Sequence, residues 1–167
     1  MRLTPPPLLL VLLLVPCACG HDVDLGEEGV EAGDGPGGAA AQSVDGRDTV
    51  DVGSWNLEWF GALDRGPDDE GLQQQNAAAV LRTLDLDLVG LVEVVSAEAF
   101  ASLMAGLPGY RGLLVTDPQV EGGDAAYGDD EQKVALVLRD RFEVTRARVI
   151  LEDESWSFAG RPPLEVS

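Results

Sequence analysis

The stretch VGSWNLEWFG, residues 52–61, holds two of the three tryptophans in a chain of 167 residues in which aromatic side chains make up only 5%. Residues 49–55 (TVDVGSW) alternate apolar and polar side chains, and this alternation predicts a β-strand. Two polar residues, Asn56 and Glu58, then lie between the two tryptophans. The stretch therefore predicts either the end of a buried strand or the rim of a functional site.

Helical and strand patterns alternate downstream of this stretch. The predicted elements, in chain order, are a helix at 72–84, a strand at 86–94, a helix at 96–107, and strands at 110–116, 133–139 and 142–151. The residues predicted to share one face of the first helix are Leu72, Asn76, Ala77, Val80, Leu81 and Leu84. A long polar loop is expected at 117–131, and Asp140-Arg141 is expected to form a tight hairpin turn between the last two strands.

This order of elements predicts an α/β protein with a layered sandwich architecture. The first strand–helix–strand unit should place its two strands parallel, with their carboxyl ends at the same edge of the sheet. Asn56 follows the first of these strands and Glu93 lies at the end of the second. Because ligands of α/β sheets bind at that edge, the topology is expected to bring Asn56 and Glu93 together.

A carboxylate and an amide oxygen at one sheet edge are suitable ligands for Mg²⁺. That ion takes few protein oxygens, keeps several waters and lets a substrate phosphate complete its coordination shell. The alternative interpretation assigns Asn56 to a strand-end cap and Glu93 to a solvated acid, and the spacing of the two residues alone does not decide between them.

Residues 1–19 are typical of a secretory signal, with an apolar run from Leu8 to Val15 that is shorter than the ~20 residues a membrane-spanning helix needs. Cys17 and Cys19 end this segment, which resembles a bacterial lipobox. The resemblance implies acylation, best at Cys19 with Cys17 as the alternative, and hence an exported protein anchored to a membrane by lipid. An ordinary signal peptide of a secreted or periplasmic protein is the other interpretation.

Residues 20–48 are acidic and rich in Gly and Ala, which predicts a flexible tether before a folded region at 49–167. The whole chain has 30 Asp+Glu against 11 Lys+Arg and a formal net charge of −19. This balance argues against tight, non-specific DNA binding, which needs Lys and Arg at the phosphates. It leaves open an enzyme that meets phosphate through a divalent metal.

Three blocks of the folded region resemble the endonuclease/exonuclease/phosphatase family. They are SWNLEWF at 54–60, LVGLVEV at 88–94 with Glu93 thirty-seven residues after Asn56, and QKVALVLRDRFEV at 132–144 followed by GRPPLEV at 160–166. The resemblance implies a four-layered α/β sandwich of metal-dependent hydrolases, of which residues 49–167 would be the N-terminal half. It also implies hydrolysis of phosphodiesters or phosphomonoesters.

Carried over from this family, Glu93 would be the principal ligand of Mg²⁺, with Mn²⁺ as the alternative ion. Asn56 would join it at the metal or orient the phosphate or nucleophile. Arg161 would contact the substrate phosphate, and Tyr127 would be the phosphate-binding tyrosine of the catalytic group. The substrate remains open among nucleic acid, lipid headgroup and sugar phosphate.

The resemblance stops short of the family's later Asp-x-Asn and Asp-His motifs. The only histidine in the sequence is His21, in the predicted tether. We therefore expect a truncated form of the sandwich that is inactive as it stands, with hydrolysis belonging to the complete form. The alternative is a degenerate, non-catalytic surface lipoprotein that binds a ligand or a partner.

Overall fold

The computed structural model describes residues 10–12 and 49–167. In chain order these residues form β1 (Leu10–Leu12), β2 (Val52–Phe60), α1 (Glu70–Leu84), β3 (Leu88–Val94), α2 (Ala97–Ala105), β4 (Tyr110–Leu114), β5 (Val120–Glu121), α3 (Gly123–Ala126), β6 (Lys133–Arg139), β7 (Ala147–Val149), a 3₁₀ helix (Glu152–Phe158) and β8 (Leu164–Val166).

The strands form two four-stranded sheets. The first sheet has the order β2-β3-β6-β4 and the second has the order β1-β8-β7-β5. Strands β2 and β3 are parallel, as the first strand–helix–strand unit predicted, and β6 runs antiparallel to both β3 and β4. Strand β1 comes from the predicted signal segment and pairs antiparallel with β8.

Two cores separate three layers. Helices α1 and α2 cover one face of the first sheet, where Leu81, Phe100 and Leu103 pack with Leu91 and Val137. The second sheet covers the other face through a cluster that joins residues of both sheets, namely Leu88, Leu113, Val134, Leu136, Ala147, Val149, Leu164 and Val166. The α/β class is confirmed, with two helices on one face of the first sheet and the second sheet on the other.

Strand β2 lies at an edge of the first sheet, so only part of it is buried. The Val52 side chain keeps 52% of its surface exposed, whereas Leu57 and Phe60 are 4% and 1% exposed. The opening stretch was predicted to be either a buried strand end or the rim of a site. The structure shows burial at Leu57 and Phe60, in the second half of the stretch, and not at Val52.

Helix α1 buries a narrower face than its sequence pattern predicted. Its buried residues are Ala77, Ala78 and Leu81, while Leu72 and Leu84 are 51% and 48% exposed. The helix contacts α2 and the edge strand β2, so it lies at the margin of the helical layer. Small alanines form the contact there, and the leucines near its two ends project beyond the core.

The predicted hairpin around Asp140-Arg141 is wrong. Strand β6 already pairs with β3 on one side and with β4 on the other, so no free edge remains for a hairpin partner. The N–H of Phe142 donates to the carbonyl of Arg139, and this turn takes the chain out of the first sheet. Of the predicted strand at 142–151, only Ala147–Val149 forms, and it belongs to the second sheet.

The segment predicted as a polar loop at 117–131 contains β5 and α3. Gly123, the first residue of α3, lies at a point of close backbone approach, because a Cβ atom there would lie 1.9 Å from the carbonyl oxygen of Val115. Only glycine allows this approach. The polar composition concealed the two short elements because both are held by contacts distant in sequence.

Candidate functional site

The carboxyl ends of β2 and β3 are joined by a bulge that sets the positions of Asn56 and Glu93. Asn56 pairs with Val92, and the next pair is Phe60 with Val94, so three residues of β2 face one residue of β3. Bulges of this kind redirect side chains at the rims of sheets. Here the bulge turns Glu93 toward β2 at the edge where the sequence predicted a site.

Hydrogen bonds then connect the two residues directly. The Nδ2 atom of Asn56 donates to Oε1 of Glu93 at 2.9 Å, and the Trp59 N–H donates to Oε2 of Glu93 at 3.3 Å. The Glu58 N–H donates to Oδ1 of Asn56 at 2.7 Å. The predicted juxtaposition of Asn56 and Glu93 is therefore confirmed, and each oxygen of the Glu93 carboxylate receives one donor.

These partners also fix the orientation of the Asn56 amide. Its NH₂ group faces a carboxylate and its oxygen faces a backbone N–H, and the reverse orientation would place like groups against each other. The amide oxygen is thus directed at Glu58 rather than at the space before Glu93. In this arrangement Asn56 orients the carboxylate, and Glu93 is the residue that presents free lone pairs.

The backbone of the site is strained. Glu58, Trp59 and Glu93 have φ values of 53°, 55° and 64°, in the left-handed region that non-glycine residues rarely occupy. Such conformations cost about 1–3 kcal/mol each and concentrate at functional sites. Three residues with positive φ at one bulge indicate that the surrounding contacts hold the backbone of this edge in a conformation that these residues disfavour.

The donor set fits Mg²⁺ or Mn²⁺ only as a site with few protein ligands. Glu93 is half-buried and Asn56 is exposed, so solvent reaches the carboxylate. Within residues 10–12 and 49–167, no cluster of three or more His, Cys, Asp or Glu side chains is close enough to hold a metal. One carboxylate with waters and a substrate oxygen suits Mg²⁺, which rarely takes an all-protein shell.

The two tryptophans of the opening stretch pack in different ways. Trp55 is partly buried against the core beneath the helices. Trp59 is half-buried, and the guanidinium of Arg65 lies 4.7 Å from the centroid of its ring. One face of the Trp59 ring is therefore covered by a cation of the same chain.

A cavity of about 600 Å³ opens beside Trp59. Its walls include Ser96 and Glu98 at the start of α2, the loop residues Asp64 and Asp129, and Lys133. Since the Trp59 N–H donates to Glu93, the cavity and the Asn56–Glu93 pair are both adjacent to this residue. Carboxylates outnumber free cations on its walls, so the cavity is acidic.

Tyr127 and Arg161 make no hydrogen bond or ion pair with Asn56 or Glu93 among the described residues. The Tyr127 side chain is 3% exposed in the core between the sheets, and its hydroxyl donates to the carbonyl of Pro162 at 2.6 Å. Burial raises the pKa of this phenol, partly offset by the charge of Arg161. The structure gives a phosphate-binding role for Tyr127 no support.

One buried polar residue near the site was not predicted from the sequence. Lys133 is 4% exposed, and its ammonium donates to three backbone carbonyls. The only indication of this residue in the sequence is a lysine at the start of the apolar run KVALVLR. A lysine in that place is equally typical of a solvated strand end. Cys17, Cys19 and His21 lie outside the described residues, as does the tether at 20–48.

Comparison of the chain with protein-family models, with curated proteins and with solved structures gave no match. In the part of the chain that the structure describes, no helix has the length and apolar character needed to cross a membrane. The residues at the β2–β3 edge are therefore the features of the molecule that bear on its function.

Proposed function

We propose that this chain belongs to the metal-dependent phosphoester hydrolases of the endonuclease/exonuclease/phosphatase type, with Glu93 as the protein ligand of Mg²⁺ or Mn²⁺. The observation that carries the proposal is the hydrogen bond between Asn56 and Glu93 across the carboxyl ends of two parallel strands. The parallel β2–β3 pair, the bulge and the three left-handed residues support it, because all serve to hold one carboxylate at a ligand-binding edge.

Each residue has a defined task in this proposal. Glu93 supplies the anionic oxygen, while Asn56 and the Trp59 N–H keep the carboxylate in one rotamer. A bound divalent ion supplies charge stabilisation at the phosphoryl oxygens and lowers the pKa of water. Holding the carboxylate before the ion arrives reduces the reorganisation that binding would otherwise require.

The substrate is a phosphodiester or a phosphomonoester, and Arg161 remains the candidate for contact with its phosphate. The net charge of −19 and the acidic cavity beside Trp59 disfavour a polyanion held by many phosphate contacts. Export, with acylation at Cys19 and attachment to a membrane, is part of the same proposal and rests on the sequence of residues 1–19. Tyr127 is left out because its hydroxyl is buried on Pro162.

Hydrolysis assays test the proposal. The purified chain is incubated with bis(4-nitrophenyl) phosphate or 4-nitrophenyl phosphate in Mg²⁺, in Mn²⁺ and in EDTA. Because the sequence holds neither the Asp-x-Asn nor the Asp-His motif of the family, we expect little or no turnover from the chain as it stands. Any turnover should depend on the metal, be lost in Glu93→Ala and be retained in Glu143→Ala, a change of an exposed carboxylate away from the site. Turnover that persists in EDTA or in Glu93→Ala would contradict the proposal.

A non-catalytic, ligand-binding surface lipoprotein is the second candidate function. It is favoured by the histidine content, since the one histidine of the sequence is His21 and general-base chemistry at phosphate commonly uses that side chain. Binding of Mn²⁺ at Glu93 without any turnover would support this candidate. Turnover that disappears in Glu93→Ala would overturn it.

A further inference from the structure

Lys133 is a buried cation held by backbone alone. Its side chain is 4% exposed, and lysine is among the residues least often found at such burial. The Nζ atom donates to the carbonyl oxygens of Val95 at 3.0 Å, Asp129 at 2.5 Å and Glu131 at 3.2 Å. The three protons of the ammonium thus have three acceptors, and none of these is a side chain.

The three carbonyls belong to two separate segments. Asp129 and Glu131 lie in the acidic turn just before β6, whereas Val95 follows the last residue of β3 and lies two positions after Glu93. Lys133 itself pairs with Val94 in the sheet. The lysine therefore fastens the end of β3 to the turn that precedes β6, immediately beyond the bulge that carries Glu93.

This end of β3 is irregular on both of its edges. The register shifts against β2 between Asn56 and Phe60, and it shifts against β6 between Leu91 and Val94. Glu93 lies within both irregularities and has a φ of 64°. A residue in this conformation needs restraint from its surroundings. Asn56 and Trp59 restrain its side chain, and the contact of Lys133 with Val95 restrains the backbone that follows.

We propose that Lys133 is a positioning residue for Glu93, acting through the carbonyl of Val95 to hold the irregular end of β3. The consequence for metal affinity rests on the proposed function, whereas the consequence for the backbone does not. Burial lowers the pKa of Lys133, and the charges of Asp129, Asp130 and Glu131 oppose that shift. The acidic turn therefore helps the buried lysine to keep its charge.

The first test needs no metal. Amide hydrogen exchange is measured in the full chain for Trp59, whose N–H donates to Glu93, and for the amides of the central strand β6, in Lys133→Met and in Leu164→Ala. The β6 amides exchange by global opening. The ratio of the Trp59 exchange rate to the β6 exchange rate therefore measures local opening at the site. We expect Lys133→Met to raise the Trp59 rate relative to β6 about tenfold.

The control Leu164→Ala removes buried surface from the second sheet and acts on global opening, so it should not raise that ratio. An unchanged ratio in Lys133→Met would overturn the proposal. If Lys133→Met does not fold, Lys133→Gln keeps a shorter donor, and a smaller increase in the same ratio is expected; no increase would overturn the proposal equally.

The second test is Mn²⁺ affinity, measured by electron paramagnetic resonance. We expect about tenfold weaker binding in Lys133→Met than in Leu164→Ala, as is typical when a residue that orients a ligand is lost. Equal affinities in the two variants would contradict a role at the metal. Absence of Mn²⁺ binding in the unaltered chain would overturn the proposed function instead, and the exchange ratio would then decide the role of Lys133.

Discussion

The amide nitrogen of Asn56 lies 2.9 Å from a carboxylate oxygen of Glu93, although 37 positions separate the two residues in the chain. The parallel pairing of β2 with β3 makes this contact, and helix α1 provides the crossover between the strands. Because the contact lies at the carboxyl edge of the sheet, it orients Glu93 where ligands of α/β proteins bind.

Replacing Asn56 by Asp should make the fold sensitive to divalent metal. The variant places two carboxylates side by side, and their repulsion should lower the free energy of unfolding by about 1 kcal/mol in EDTA. Mg²⁺ should restore much of this loss. Thermal unfolding in EDTA and in millimolar Mg²⁺ measures both effects. Asn56→Ala is the control, since it removes the hydrogen bond without adding charge. An equal change in unfolding temperature on addition of Mg²⁺ in the two variants would count against a metal at Glu93.

Replacing Glu58 by Gly should stabilise the protein. Glu58 is exposed with a φ of 53°, and its N–H contact with Asn56 survives the change. Relief of the left-handed strain should exceed the entropy cost of glycine by about 0.5–1 kcal/mol. Chemical denaturation gives the difference. Glu143→Gly, at a residue without positive φ, should not stabilise, and stabilisation of both variants alike would refute the strain argument.

Alanine at Gly112 and at Gly71 should have opposite effects. A Cβ atom at Gly112 would lie 2.7 Å from Met104 and from Phe100, where α2 packs on β4. This overpacking should cost about 1–3 kcal/mol. Gly71 is an exposed residue of α1 whose added Cβ would lie 3.5 Å from its nearest neighbour. Gly71→Ala should therefore gain about 0.5–1 kcal/mol from helix propensity. Thermal melts of both variants that shift in the same direction would contradict the packing described for Gly112.

The pair Arg148–Glu165 should make stability depend on acid. The Nε atom of Arg148 donates to Glu165 at 2.5 Å, and this hydrogen bond holds the pKa of Glu165 below its ordinary value of 4.5. Between the lowered and the ordinary pKa the unfolded chain binds more protons, so stability rises with pH across that window. The contribution is complete above pH 4.5 and is lost as the pH falls through the lowered pKa.

Unfolding free energies of the unaltered chain and of Glu165→Gln, measured as a function of pH, test this dependence. The advantage of the unaltered chain should be present at neutral pH and should vanish in acid. An advantage that stays constant across the acid range would show that the pair does not titrate in this way. Glu143→Gln serves as the control at an exposed carboxylate.

The hydrophobic periodicity of the sequence, together with the rule that ligands bind at the carboxyl ends of parallel strands, was sufficient to predict the elements that meet at the site. The parallel pairing of β2 with β3 and the approach of Asn56 to Glu93 both followed from apolar runs separated by a helical pattern. These features depend on the local order of residues, which a sequence records directly.

The features that the sequence could not reveal depend on competition between distant segments. β7 is not part of the first sheet, because β4 occupies the edge of β6 where a hairpin partner would pair. The residues near Asp140-Arg141 carry no sequence pattern that indicates the pairing of β4 with β6. The sequences around Glu58, Trp59 and Glu93 predicted continuous strands, although the φ values of these three residues are those typical of glycine. The burial of Lys133 could not be predicted, because its three hydrogen-bond acceptors are backbone carbonyls. Backbone carbonyls are present at every residue, so the sequence does not indicate which of them will accept from a lysine.

Titration of the full chain with Mn²⁺, followed by electron paramagnetic resonance, measures whether Glu93 holds a divalent metal ion. We expect one saturable site that is lost in Glu93→Gln, competed by Mg²⁺ and retained in Glu143→Gln, which makes the same chemical change at an exposed carboxylate. Equal Mn²⁺ binding by the unaltered chain and by Glu93→Gln would contradict it.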